Sequence, residues 1–95
     1  MHSMVDSERD FRRWIDTLLG RTLRIIDGVQ LKGDGWSVRQ LLTVCSGLRA
    51  ARRDGACGRT VSQKARLRVQ LDLYEGIIAA MACERRVIEV MRKAA

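Results

Sequence analysis

Few residues in this chain are equipped for chemistry. The single histidine is His2, so no histidine-based triad or general base can be assembled. The three cysteines are Cys45, Cys57 and Cys83, an odd number without C-x-x-C spacing. That is neither a zinc motif nor a disulfide framework. Cys45 and Cys83 fall on apolar helical faces and are expected to be small buried hydrophobes. Cys57, in the glycine-bounded stretch Gly55-Ala56-Cys57-Gly58, is the one candidate reactive thiol. The carboxylates are scattered. Asp6, Glu8 and Asp10 suit the positive pole of a helix start, Asp72 and Glu75 can pair with Arg68, and Glu84 and Glu89 flank Arg85 and Arg86 as a solvated face. Gly33 and Gly35 follow no strand, which a dinucleotide fingerprint requires. No catalytic residue, cofactor or metal ligand is expected, and the chain reads as a non-enzyme.

Charge is more informative. Eighteen basic residues against eleven acidic ones leave +7. The excess concentrates in Arg49, Arg52, Arg53, Arg59, Lys64, Arg66 and Arg68, opposed there only by Asp54. Such a cluster could neutralise phosphates, with binding that falls steeply as salt rises. The aromatic platforms of single-strand binders are missing, and the spacing does not fit two short helices joined by a tight turn. Three uses stay open for this basic patch: nucleic acid, an acidic protein surface, or solubility alone.

The elements that must position these groups are helices. The 95 residues, 46% of them hydrophobic, suit one small domain spanning 1–95. The apolar residues recur at helical spacing, and proline is absent. The expected fold is all-α, with three helices and a bundle completed by dimerisation; residues 1–6 are expected to be disordered. The first helix should cover 7–29, with Phe11, Trp14, Ile15, Leu18, Leu19, Thr22, Ile25, Ile26 and Val29 on its apolar stripe. In the second, Ser37 and Gln40 have the spacing of a capping box, with Trp36 and Leu41 as a hydrophobic staple. Its core face is expected to be Val38, Leu41, Leu42, Cys45, Leu48 and Ala51, and its end near Arg53. Trp36, between glycines and hard to cover with so small a core, is also a possible partner contact.

The third helix opens on a second box, Thr60 with Gln63, and meets no stop before Arg92. From 60 to 92 that is about 50 Å at 1.5 Å per residue. A compact chain of this length is only about 30 to 35 Å across. Either Gly76 breaks the helix, or a partner covers what protrudes. Two apolar stripes run along it. Leu67, Leu71, Tyr74, Ile78, Met81 and Ile88 form one; Val69, Leu73, Gly76, Ala80, Cys83, Val87 and Val90 form the other. The first two helices are too short to cover both, so self-association is expected. Leu67, Leu71, Tyr74, Ile78, Met81 and Ile88 are the expected dimer or partner face.

No apolar run approaches the roughly 20 residues of a membrane span, and no signal peptide is recognisable at residues 1–6. A cytoplasmic protein that does not engage a membrane is expected. The stretch Gly55-Ala56-Cys57-Gly58, followed by Arg66-Leu67-Arg68 and Leu71-Asp72-Leu73-Tyr74-Glu75, resembles the small helical quorum-sensing antiactivators of the TraM and QslA type. The resemblance covers about 40 residues and transfers no site residue by position. It implies a helical homodimer that regulates transcription through protein–protein interaction, inhibiting a LuxR-type transcription factor. The alternative is a nucleic-acid-binding protein using the basic 49–68 region.

Overall fold

The computed structural model describes residues 4–54 and 60–94, with side chains described for 9–54, 60–84 and Met91. The fold is all-α, built from α1 (Met4–Lys32), α2 (Gly35–Asp54) and α3 (Val61–Ala94). Among the described residues there is no strand.

The α1–α2 connection is a two-residue reversal. Gly33 takes φ +74°, a conformation that costs glycine nothing sterically. Its N–H donates to Gln30 O at 3.1 Å, and the Asp34 N–H donates to Val29 O at 3.4 Å. This pair is the Schellman arrangement, which satisfies the last carbonyls of a helix. Asp34 then caps α2: its Oδ1 accepts from Ser37 N at 3.2 Å and its Oδ2 from the Ser37 hydroxyl at 2.9 Å. The expected box at Ser37 is therefore corrected. A carboxylate is as good an N-cap as a serine hydroxyl, and Gly33 delivers Asp34 to the position three residues earlier. Trp36 is consequently inside the first turn of α2 and 68% exposed, while Leu41 is fully buried. The expected staple between them does not form.

The opening of α3 is as expected. Thr60 N donates to Gln63 Oε1 at 3.0 Å, and Gln63 N donates to Thr60 Oγ1 at 3.2 Å. Both partners of the capping box are satisfied reciprocally.

The core is one cluster shared by all three helices. Ile15, Leu18, Ile25 and Ile26 come from α1, Leu41, Val44, Cys45, Leu48 and Ala51 from α2, and Leu67, Leu71 and Ile78 from α3. The first helix matches its expected stripe, and the buried Thr22 hydroxyl donates to Leu18 O at 2.7 Å. On α2 the face is rotated slightly: Leu42 is half exposed, whereas Val44 is buried. The antiparallel α1–α2 pair makes the larger contact, and α3 rests against both over fewer residues. Lys32 Nζ, in the last turn of α1, is shielded without a hydrogen-bond partner among the described residues, in the negative field of the helix C-terminus.

Two contacts fix the relative level of the helices. Arg52 Nε of α2 reaches Asp16 Oδ1 at 2.7 Å, and the Arg68 guanidinium of α3 lies 4.5 Å from the Trp14 ring centroid. The end of α2 and the start of α3 thus meet the same stretch of α1. Helix α3 runs unbroken through Gly76 for 34 residues. It accounts for the longest dimension of 53 Å and a radius of gyration of 15.7 Å, against about 12 Å for a compact chain of this length.

One close approach joins α2 to α3. A Cβ placed on Gly47 would lie 2.8 Å from Cε2 and Cζ of Tyr74, and closer still to its hydroxyl oxygen. That ring is also held by Gln70 Nε2, which donates to Tyr74 Oη at 2.6 Å. Gly47→Ala gains about 1 kcal/mol of helix propensity but forces an overpacked contact costing about 1 to 3 kcal/mol. A net loss of about 1 kcal/mol is expected in denaturant unfolding, and it should vanish when Tyr74→Leu is combined with it. A stabilised single variant would contradict the packing.

Candidate functional site

The two apolar stripes of α3 have opposite fates. Leu71 and Ile78 are fully buried and Leu67 nearly so, while Tyr74 and Met81 are partly buried against the same cluster. The stripe expected to mediate self-association is therefore the one that α3 turns to its own α1 and α2. Ile88 lies within α3, but its side chain is outside the described ones. Physically, the larger residues on this stripe fill the gap between two antiparallel helices, so the chain uses them first. On the other stripe the described residues, Val69 to Cys83, are uncovered. Val69 is 68% and Leu73 62% exposed, and Gly76, Ala80 and Cys83 are exposed beyond them. Cys83, expected to be buried, is a free exposed thiol, whereas Cys45 is free and buried. Burial pushes the Cys45 thiol up from its usual range, with the Arg49 guanidinium partly opposing that shift. Cys57 lies outside the described residues.

A second uncovered surface flanks the α1–α2 reversal. Leu31, in the last turn of α1, is 90% exposed, and Trp36 projects from the first turn of α2. Both sit on backbone fixed by the Schellman and cap hydrogen bonds described above, so an exposed aromatic is displayed on a rigid support.

The basic patch is partly committed within the chain. Arg52 pairs with Asp16, at side-chain exposures of 58% and 49%, which is worth at most about 1 kcal/mol at a wet surface. Arg53 lies 3.9 Å from Asp54. Arg68 covers Trp14, a cation–π contact of about 0.5 to 1 kcal/mol, and Phe11 meets the same indole edge-on at 6.5 Å. Arg49, Lys64 and Arg66 are exposed, and Arg59 lies outside the described residues. The structure thus brings the ends of α2 and α3 together but gives two of the seven cations structural roles. No group of three His, Cys, Asp or Glu side chains suited to a metal ion occurs among the described residues. Nor is any helix, among the described residues, long and apolar enough to cross a membrane.

Comparison with protein-family models, with curated proteins and with solved structures finds no match to this chain.

Three features of these surfaces escaped the sequence. Val44 sits one turn from Leu48 and Leu41 on an ordinary helical face, and counting spacings from Leu41 would have found it. The Arg68–Trp14 and Gly47–Tyr74 contacts join different helices, and no local pattern announces them.

Proposed function

We propose that this chain is a non-enzymatic regulatory protein that acts by binding another protein, as an antiactivator holding a LuxR-type transcription factor inactive. The observation that carries protein binding is the exposed Trp36, at 68%, on a support that keeps it out of its own core. Tryptophan is the residue most enriched at binding hot spots, where its burial supplies much of the affinity. Leu31 beside the same reversal enlarges the apolar surface, and the net charge of +7 favours fast encounter with an acidic partner. The regulator as partner rests on the resemblance of Gly55–Gly58 and the following helix to antiactivators.

The test is a reporter driven by each LuxR-type regulator of the source genome, with and without this chain. Repression is expected for one of them. Trp36→Ala is expected to restore the reporter while shifting stability by no more than about 0.5 kcal/mol, the usual range for a surface change. Repression that survives Trp36→Ala, or no repression at all, would remove this proposal. The nucleic-acid alternative is separated by a gel-shift at about 50 and 200 mM salt: binding that is tight at the lower and collapses at the higher would replace the antiactivator reading. The engagement of Arg52 and Arg68 within the chain weighs against that outcome.

A further inference from the structure

Val69, Leu73, Gly76, Ala80 and Cys83 are exposed on α3, and in the sequence their spacing of four and three continues to positions 87 and 90. A spacing of this kind sustained over three heptads is the pattern by which one helix pairs with another in a left-handed supercoil. The core-facing residues Leu71, Tyr74, Ile78 and Met81 occupy the far side of the same helix, so the seam from Val69 to Cys83 is open to a partner without disturbing the fold. We infer that its occupant is a second copy of this chain, with α3 lying antiparallel to α3 about a two-fold axis near residue 78.

The charges beside the seam select both the occupant and the direction. In the antiparallel register that sets Gly76 opposite Ala80 of the second copy, the flanking position of Asp72 falls opposite that of Arg86. By symmetry this opposition occurs twice. Leu73 then faces Cys83, and Val69 faces Val87. The smallest residues meet at the centre, where close approach of two helices is easiest. A parallel pairing instead sets Asp72 beside Ile77 and Ala79 beside Glu84, leaving the charges unpaired. Sliding the antiparallel pair by one heptad sets Asp72 against Lys93, but it leaves Arg86 against Ala79 and Glu84 against Ile77 and moves Gly76 away from Ala80. The register centred near residue 78 pairs Asp72 with Arg86 and brings the smallest residues together, and its two-fold contact closes on itself as a dimer. This inference goes beyond the antiactivator proposal: Trp36 takes no part in it, and either can fail without the other.

Sedimentation equilibrium of the full chain at tens of micromolar tests it. A mass twice the 10.8 kDa of the chain is expected. Leu73→Glu is expected to weaken association by roughly a hundredfold or more, because it buries an unpaired charge twice per dimer. Far-UV circular dichroism of that variant at matched concentration should keep its helical signal, since Leu73 is exposed in the single chain. Asp72→Arg is expected to weaken the dimer by roughly tenfold, and adding Arg86→Asp to restore it. Cross-linking reads the direction. In a Cys57→Ser background, Leu73→Cys should oxidise to a disulfide with Cys83 of the other copy, and without that change no dimer should cross-link. A 10.8 kDa mass at every concentration, or a dimer indifferent to Leu73→Glu, overturns the seam. Cross-linking of Cys83 to itself, or charge reversal without rescue, overturns the antiparallel register.

Discussion

Ile78→Asp is expected to abolish the fold. Ile78 is wholly buried among side chains from α1 and α2, and nothing in that apolar cluster offers a carboxylate a partner. Truncating such a residue to alanine already costs about 2 to 5 kcal/mol, and stranding a charge adds the penalty of an unpaired buried ion. The total stability of a domain this size is roughly 5 to 14 kcal/mol. Loss of at least about 5 kcal/mol would leave little or none of the cooperative transition. Thermal and denaturant melts followed by far-UV circular dichroism measure it. A variant that melts like the parent but no longer associates would mean that this face of α3 belongs to an interface between chains instead of the core.

Leu48→Ala is expected to cost about 3 kcal/mol, near the middle of the range for a fully buried leucine. Leu48 shares the inner face of α2 with Leu41, Val44 and Cys45. The Tyr74 ring closes over the adjacent Gly47, so the backbone there cannot easily sink into the space a leucine leaves. Poor collapse puts the cost well above the transfer term alone. The midpoint in denaturant should fall with an unchanged slope, read at one fixed protein concentration because association adds to apparent stability. A loss below about 1 kcal/mol would show that α2 is not packed against its neighbours as described.

Much of this fold was legible in the sequence, and the parts that were not share a cause. The stripe Ile15, Leu18, Thr22, Ile25 and Ile26 is a run of local spacings, and local spacings survive folding. The reciprocal pair at Thr60 and Gln63 is likewise a contact between residues three apart. Asp34 competes in the sequence with the alternative cap offered by Ser37 and Gln40, and Gly33, by entering the left-handed region, decides between them. That choice moved Trp36 from a staple to an exposed site. The surplus of apolar surface on α3 was also legible, since two stripes on one helix cannot both be covered by two shorter helices. Which stripe the chain keeps for itself was not. Leu71 and Ile78 are larger and fill the groove between α1 and α2, whereas Gly76 and Ala80 would leave it half empty. Volume at the point of contact settled the matter, and periodicity carries no volume. The candidate site was less legible still. The charge cluster between Arg49 and Arg68 gave no sign that Asp16 and Trp14, far away in sequence, would engage two of its members.

The two faces of α3 are where the fold and the proposed interactions meet, and two native thiols report on them. Cys45 lies inside the core and Cys83 on the uncovered seam. The most direct measurement is the rate of thiol labelling under native conditions, in a Cys57→Ser background, with and without Leu73→Glu. In the Leu73→Glu chain, Cys83 is expected to react at once and Cys45 only as fast as the chain unfolds. Without that change, Cys83 should become protected as protein concentration rises, and Cys45 should stay protected throughout. Rapid native labelling of Cys45 together with a protected Cys83 in the Leu73→Glu chain would contradict the account, because the faces would then be reversed.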